Sequence, residues 1–448
     1  MTACSGTGQR RFDARCVPQR PRLTSRSFLP PWVPQLKSSA WTPKPGLAAG
    51  CSLLSFAGSP GRSVSGGGRY VAFVSQCGNL GPVDGNHFND VYVRDRRNHV
   101  TQRISVGAAG KWSNGNSGRP TITPDGRFVA FDSDASTLVA GDTNRYSDVF
   151  VRDRLTGRTE RVSISANGTQ GDDSSFNPSI SADGRYVAFD SRATTLAPNA
   201  TARVPKVFVR DRLLGTTRWV SVPLPGATLG LYDSSGRPSI SGDGQHVAFE
   251  SFSNELVPND TNSKLDIFVR DLSTQTTERV STGTQGQSNA HSYTPSISAD
   301  GRYVVFESEA TNLVSKSAGY SNAILHDRLT GRNELISVGV GGVHPDGASF
   351  HPVITADGRY VAFYSFATNL VPADTNGQMD VFLRDRQQGV TQRISVSSTG
   401  QQGSGPSGEE VVVSSNGRFV VFDSWSPDLV PNDRNDDGDV YLRDLGTT

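Results

Sequence analysis

The sequence predicts an all-β chain, folded as a single β-propeller of four-stranded antiparallel blades, seven in number, with six as the alternative. Three observations predict it: a repeat of nearly constant period, a tight-turn signal in each copy, and apolar runs of strand length. No segment keeps a period of 3.6 residues, so helices are not expected.

The repeat is clearest at an Asp-Gly-Arg turn or a close variant of it. Its copies begin 57 to 60 residues apart, at residues 67–69, 125–127, 183–185, 243–245, 300–302, 357–359 and 416–418. Seven copies at so steady a period are not an accident of composition. Glycine in the turn tolerates the positive φ that a tight hairpin requires.

Each copy supplies four short strands. Residues 178–181 and 185–190 flank one such turn, and residues 148–153 and 160–164 show the third and fourth strands of the copy before it. The middle strands contain unbroken apolar runs such as Val-Ala-Phe and Val-Phe-Val, which are typical of a sheet covered on both faces. Blades stacked around an axis meet that condition and leave only short, protected edges.

Residues 1–50 are set apart by composition. They hold eight Lys or Arg residues but a single acid, Asp13, and are rich in proline. We interpret them as a disordered leader, or as translation from a start codon placed too far upstream, with no convincing signal peptide. The propeller is predicted to span residues 51–448. Because the last copy has no room for a fourth strand, residues 51–58 are predicted to close the ring.

The repeat resembles a known one. Pro followed by Ser-Ile-Ser, Asp-Gly-Arg-Tyr, Val-Ala-Phe and Asp-Val-Phe-Val-Arg-Asp is similar to the WD40-like (PD40) repeat of the TolB-type propeller family, over roughly residues 60–445. The resemblance implies a bacterial propeller that binds other macromolecules outside the cytoplasm, in the periplasm, on the cell surface or as a secreted protein. Residues 1–50 could not form the α/β domain of that family, so its envelope role is not carried over.

Charge and hydropathy limit the classes of partner that we expect for this chain. Beyond residue 50 the chain holds 36 basic and 42 acidic residues, whereas a nucleic-acid surface needs a concentrated basic face. No apolar run approaches the ~20 residues of a membrane span. We therefore expect no nucleic-acid partner and no membrane span, and a monomer that binds a protein or a glycan.

An acidic motif follows the second strand in five copies. It reads Asp-x-Asn-x-x-x-Asp, with the members Asp84, Asn86 and Asp90; Asp142, Asn144 and Asp148; Asp260, Asn262 and Asp266; Asp374, Asn376 and Asp380; and Asp433, Asn435 and Asp439. Oxygen ligands at positions 1, 3 and 7 match the opening of a calcium-binding loop. The motif predicts Ca²⁺ sites, although the acid at position 12 lies too far along a strand to serve the same ion.

The alternative is structural. The same residues form Asx turns, and the last Asp pairs with an arginine of the repeat. Two copies lack the motif and should bind no ion: one has Ala200, Ala202 and Lys206 at the three positions, and the other has Lys316 in a shortened loop.

Catalytic motifs are scarce. The sequence contains no Gly-x-Ser-x-Gly elbow, and its seven histidines form neither His-x-x-x-His nor His-Glu-x-x-His. The repeated Arg-Asp at the end of the third strand is interpreted as an ion pair between blades. The sequence favours a non-catalytic binding scaffold that uses its long loops, with a propeller enzyme of the polysaccharide lyase or glycosidase type as the alternative.

Overall fold

The computed structural model describes residues 11–12, 62–77, 80, 85–107, 110–315, 319–431, 433 and 438–446. They form seven four-stranded antiparallel sheets, numbered here as blades 1 to 7 in chain order. Inner strands of successive blades contact one another, and the inner strand of blade 7 contacts that of blade 1, so the sheets form a closed ring. The predicted seven-bladed propeller is confirmed, and the six-bladed alternative is wrong.

The strand bounds are as follows. Blades 1 to 3 comprise Arg62–Val64, Tyr70–Ser75, Asp90–Asp95 and Val100–Arg103; Ser117–Ile122, Phe128–Ser133, Asp148–Asp153 and Arg158–Arg161; and Ser175–Ile180, Tyr186–Ser191, Lys206–Asp211 and Thr216–Trp219. Blades 4 and 5 comprise Ser235–Ile240, His246–Ser251, Asp266–Asp271 and Thr276–Arg279; and Ser292–Ile297, Tyr303–Ser308, Asn322–Asp327 and Arg332–Leu335. Blades 6 and 7 comprise Ser349–Ile354, Tyr360–Ser365, Asp380–Asp385 and Val390–Arg393; and Ser407–Val413, Phe419–Ser424 and Asp439–Asp444, with Arg11–Phe12. A short hairpin, Thr282–Gly283 with Gly286–Gln287, follows blade 4, and a 3-10 turn, Val340–Gly342, follows blade 5.

The hydrophobic core lies between the blades. One buried cluster joins Val149 and Val151 of blade 2 to Val187 and Phe189 of blade 3. The other seams between blades hold comparable clusters. The second and third strands of each blade are therefore covered on both faces, as their unbroken apolar runs predict.

A polar contact also recurs at the seams. The Arg that follows the third strand reaches the preceding blade: Arg386 of blade 6 bonds the carbonyl oxygen of Gly358 and pairs with Glu334 of blade 5 at 2.9 Å. The Asp of the repeated Arg-Asp instead pairs inside its own blade, as Asp153 does with Arg127 at 2.8 Å. The expected inter-blade Arg-Asp pair is wrong, because the second and third strands pair in a register that brings these two residues of one sheet together.

The ring closes through the amino-terminal part of the chain. Arg11–Phe12 pairs antiparallel with Asp439–Asp444, and Arg11 lies opposite Tyr441. This is the register in which Arg161 lies opposite Phe150 in blade 2. Arg11–Phe12 belongs to the segment assigned to a leader. The predicted closing strand, residues 51–58, lies outside the described residues.

This pairing makes a testable prediction. Deleting residues 1–20 removes the outer strand of blade 7 and opens the polar edge of Asp439–Asp444 to water, so we expect a lower melting temperature. Deleting residues 1–8 spares the strand and is the matched control. If the two truncated proteins melt at the same temperature, Arg11–Phe12 does not close the ring.

Candidate functional site

The two faces of the disc differ in their connections. Connections from the first to the second strand and from the third to the fourth are tight turns, and they define the tight-turn face. Connections from the second to the third strand and from one blade to the next are longer, and they define the long-loop face. Binding groups are commonly carried on loops that a rigid frame positions. The described members of the acidic motifs lie in the connections from the second to the third strand, on the long-loop face.

The structure places the described members of the motif at the start of each third strand. The position-7 residues Asp90, Asp148, Asp266, Asp380 and Asp439 are buried first residues of those strands. The described position-3 residues are Asn86, Asn144, Asn262 and Asn376, and the described position-1 residues are Asp142, Asp260, Asp374 and Asp433. Asp84 and Asn435 lie outside the described residues.

Blade 2 shows the arrangement in full. Arg161 Nη1 lies 3.0 Å from Asp142 Oδ1 and 3.0 Å from Asp148 Oδ2. Asn144 donates from Nδ2 to Asp148 Oδ2 at 3.0 Å and accepts the Tyr146 backbone N–H at 3.2 Å, which makes an Asx turn. The guanidinium of the fourth strand is thus held between both carboxylates of the motif.

The same unit recurs in other blades. Arg279 Nη1 lies 2.8 Å from Asp260 and 3.8 Å from Asp266 in blade 4. The corresponding distances from Arg393 in blade 6 are 3.0 Å to Asp374 and 3.3 Å to Asp380, and Arg103 of blade 1 lies 3.7 Å from Asp90. Burial raises the pKa of Asp266 to about 6, and the bonds from Ser281 and Asn262 oppose this.

The two exceptional blades lose the acid and the arginine together. Blade 3 has Lys206 in the position-7 place and Trp219 where the arginine would lie, and blade 5 has Asn322 and Leu335. Lys206 donates to the carbonyl oxygen of Val204 at 3.0 Å, and burial lowers its pKa to about 8. The Asp and the Arg therefore vary as one unit. The sequence does carry a signal for this arginine. In blades 1, 2, 4 and 6 it lies in the fourth strand, 13 residues after the position-7 acid.

This geometry bears on calcium. A Ca²⁺ ion takes six to eight oxygen ligands. In three loops a guanidinium is already ion-paired with the carboxylates of positions 1 and 7, at distances of 2.8 to 3.8 Å. Within the part of the chain that the structure describes, no group of three or more His, Cys, Asp or Glu side chains is placed to hold a metal ion. As the residues are placed, an ion would have to displace the arginine.

A second polar set lies near the axis, and we call it the mouth. It comprises the third residues of the inner strands of blades 2 to 6 and the fifth residues of the second strands, all in the half of the ring toward the long-loop face. The inner-strand residues have left-handed backbones at β-bulges and are of four types in five blades: Arg119, Asn177, Arg237, Thr294 and His351. Bulges are over-represented beside active sites, where they re-aim a side chain.

The second-strand residues of the mouth are mainly carboxylates. They are Asp132, Asp190, Glu250, Glu307, Tyr364 and Asp423 in blades 2 to 7. Arg119 bonds Asp132 at 2.9 Å, and Asn177 bonds Asp190 at 2.7 Å. Burial raises the pKa of Asp132 to about 6, although Arg119 opposes this. Sequence reasoning missed this set; its signal is the single variable residue before an otherwise constant proline.

The raised pKa of Asp132 has a measurable consequence. Since the folded state binds this proton more tightly than the unfolded chain, its contribution to stability is lost as pH rises from about 4 to about 6. We expect Asp132→Asn to flatten that part of the stability profile. Urea unfolding between pH 3 and 8 measures it, and an unchanged slope in the variant would contradict the assignment.

Among the described residues, exposed aromatic side chains are confined to the long-loop face. Seven large aromatic residues among the described ones are exposed, all in long connections: Trp112, Tyr146, Tyr232, Phe252, Tyr320, Phe366 and Trp425. The exposed large apolar side chains on the opposite side are aliphatic: Val100, Leu155, Leu213, Leu214, Leu329 and Val390. The two faces therefore differ in chemistry as well as in loop length.

Two solved propeller structures are similar to this chain in fold. The propeller domain of the Trilobed protease from Pyrococcus furiosus is 13% identical, with a TM-score of 0.53, and the match covers 89% of this chain and 99% of that one. For an oligogalacturonate lyase from Vibrio parahaemolyticus, the identity is 12% and the TM-score 0.51, over 88% and 91% of the chains. The chain shares their β-propeller fold.

TolB structures are also similar to this propeller. For a putative TolB from Agrobacterium tumefaciens, the identity is 16% and the TM-score 0.41, over 80% of this chain and 98% of that one. No family model matches the sequence, and no curated protein matches it. Among the described residues, no helix is long and apolar enough to cross a membrane. At these identities the likeness establishes the fold alone.

Proposed function

We propose that this propeller is a binding scaffold that engages a protein or a glycan through its long-loop face. The observation that carries the proposal is that the exposed aromatic side chains of the described part of the chain all lie on that face. Tyr, Trp and Phe are enriched at protein interfaces and dominate their binding energy. Exposed Leu and Val side chains scattered over the other face need no such explanation.

The acidic loops have a supporting role in this proposal. Asp142 and Asp148 have side chains that are 4% and 0% exposed, so they are inaccessible to a partner. Their pairing with Arg161 holds the start of the third strand to the fourth strand. The loop from the second to the third strand is thus anchored on a rigid frame, which keeps its exposed residues in place for binding.

The proposal is tested by capture. The immobilised chain is used for pull-down from extracts and for a glycan array, alongside the double variant Phe366→Ala with Trp425→Ala. We expect the variant to lose at least about tenfold in retained ligand, since truncating an aromatic anchor of an interface costs roughly 2 kcal/mol. The matched control is Leu155→Ala with Leu329→Ala on the tight-turn face. Equal loss in both variants, or loss only in the control, would overturn the face assignment.

A second candidate is a propeller enzyme of the polysaccharide lyase or glycosidase type. The mouth favours it, because carboxyl groups of raised pKa lie beside arginines there, as in Asp132 with Arg119. Two carboxylates flanking a bond are the usual machinery of glycoside hydrolysis. Incubating the chain with acidic and neutral polysaccharides and measuring new reducing ends decides this. If the chain produces new reducing ends and Asp132→Asn abolishes them, the protein is an enzyme of this type.

Location and oligomeric state belong to the same proposal. The repeat resembles that of exported propellers, so we place the chain outside the cytoplasm and expect it to act as a monomer. Cell fractionation and light scattering of the purified chain test the two statements separately. Recovery only in the cytoplasmic fraction would contradict the first, and a dimer mass would contradict the second.

A further inference from the structure

An arginine–aromatic contact between neighbouring blades recurs at the seams on the tight-turn face. In four seams the guanidinium that follows the third strand lies over an aromatic ring of the preceding blade, as Arg154 does over Tyr70 at 4.2 Å and Arg212 over Phe128 at 4.5 Å. Arg212 also donates to the carbonyl oxygen of Gly184 and pairs with Glu160. Each such arginine fills the space between two blades.

The seam between blades 3 and 4 lacks this arginine. Leu272 stands in its place, and Arg218 stands where Glu160 lies one blade earlier. The two changes are linked, because a guanidinium at residue 272 would face a second positive charge. The shorter leucine leaves a cavity of about 310 Å³, lined by Tyr186, Arg218, Gly244, Gln245, Leu272 and Gln275, among others.

The polar groups of this cavity favour an anion. Arg218 is exposed and has no hydrogen-bond or ion-pair partner among the described residues. The side-chain amides of Gln245 and Gln275 supply further donors. The acid that lines the cavity, Asp211, is already neutralised by Arg185 at 2.8 Å and accepts the backbone N–H groups of Leu213 and Leu214. An arginine fork suits a carboxylate, which it binds bidentately.

The remaining wall is apolar. Leu272 and Val209 line it, with the ring of Tyr186 beside them. A volume of this order is at the small end of ligand sites, enough for one carboxylate and one aliphatic side chain. We propose that this seam binds the free carboxy terminus of a peptide that ends in a hydrophobic residue. The site lies on the tight-turn face, so it goes beyond the function proposed for the long-loop face.

The probe is the peptide Ala-Ala-Ala-Leu with a free carboxyl group, titrated into the full chain by calorimetry. Its carboxamide and N-acetyl-leucine are the comparison ligands. We expect the free acid to bind at least about tenfold more tightly than the amide, because hydrogen bonds to charged groups are the stronger ones. N-acetyl-leucine should bind more weakly than the peptide. Equal affinity of acid and amide overturns the site, and equal affinity of peptide and N-acetyl-leucine overturns the peptide assignment.

Two variants locate the site. Arg218→Gln should remove the preference for the free acid without lowering the melting temperature, since Arg218 makes no internal pair. Leu272→Arg should fill the cavity and abolish binding. The matched control is Leu445→Arg in the seam between blades 6 and 7, which also has leucine in place of the arginine but has Gln392 rather than an arginine opposite. Binding that survives Leu272→Arg, or is lost equally in the control, contradicts the proposal. Because capture on the long-loop face is measured with other variants, the two proposals can fail independently.

Discussion

Replacing Arg161 by Met is expected to cost about 3–5 kcal/mol of the free energy of unfolding, the range for removing one partner of a buried ion pair. The guanidinium lies 3.0 Å from the carboxylates of both Asp142 and Asp148, and all three side chains are at most 9% exposed. Removing it leaves two buried acids facing each other. Urea unfolding at pH 7 measures the loss.

The repeats themselves supply the control. In blade 5 the position-7 acid and its arginine are replaced by Asn322 and Leu335, and the blade folds in the same register. The triple variant Asp142→Ala, Asp148→Asn and Arg161→Leu copies these two residues and takes alanine at position 1 from blade 3, where Ala200 occurs. We expect it to cost much less than Arg161→Met alone, since replacing a whole buried charge set is often near neutral. A triple variant as unstable as the single one would contradict the paired role of Arg161.

The pairing of the motif with arginine also predicts how the melting temperature responds to Ca²⁺. Because the guanidinium occupies the carboxylates of the motif, we expect the unmodified chain to melt at the same temperature in millimolar Ca²⁺ and in EDTA. A ligand that binds only the folded state raises the melting temperature by mass action. A clear rise with Ca²⁺, smaller with Mg²⁺, would restore the calcium sites predicted from the sequence.

Gly184→Ala is the second large effect. The residue has φ of +73°, and an added Cβ would lie 2.3 Å from Phe128 Cδ2 of the preceding blade. The left-handed backbone costs roughly 1–2 kcal/mol and overpacking roughly 1–3 kcal/mol, so we expect a loss of about 2–5 kcal/mol.

Gly157→Ala is its matched control. Its φ is +70°, but the nearest atom to an added Cβ is 3.6 Å away, so only the backbone cost applies. We therefore expect Gly157→Ala to be the milder change by about 1–3 kcal/mol in urea unfolding. Equal losses would show that the approach of Phe128 to the turn does not stabilise the seam.

The fold could be predicted because every copy of the repeat contains the local sequence signals of its strands and turns. The turn at residues 183–185 demands glycine, and the Val-Ala-Phe and Val-Phe-Val runs fit a sheet covered on both faces. Closure by Arg11–Phe12 was not predicted, because two residues in a basic, proline-rich segment carry no strand pattern. Only the pairing with Tyr441 and Val440 identifies them.

The candidate site was predicted in position but only partly in chemistry. The acidic loops were found because five copies share their spacing. Their partner, exemplified by Arg161, comes from another strand and is brought to them by sheet register alone. The mouth was missed because Arg119 and its counterparts differ between blades, and a repeat comparison that looks for constancy passes over them. The exposed aromatic residues of the long-loop face could not be identified from the sequence, because a sequence does not show which side chains are exposed to solvent.

The most direct test of the binding face is hydrogen–deuterium exchange on the chain with and without the ligand it captures. The aromatic residues place the contact on the long connections, including residues 134–147, 252–265 and 366–379. We predict that exchange slows in these segments and stays unchanged at the tight turns of residues 125–127, 183–185 and 357–359. Protection of the tight turns, with the long connections unaffected, would contradict the account.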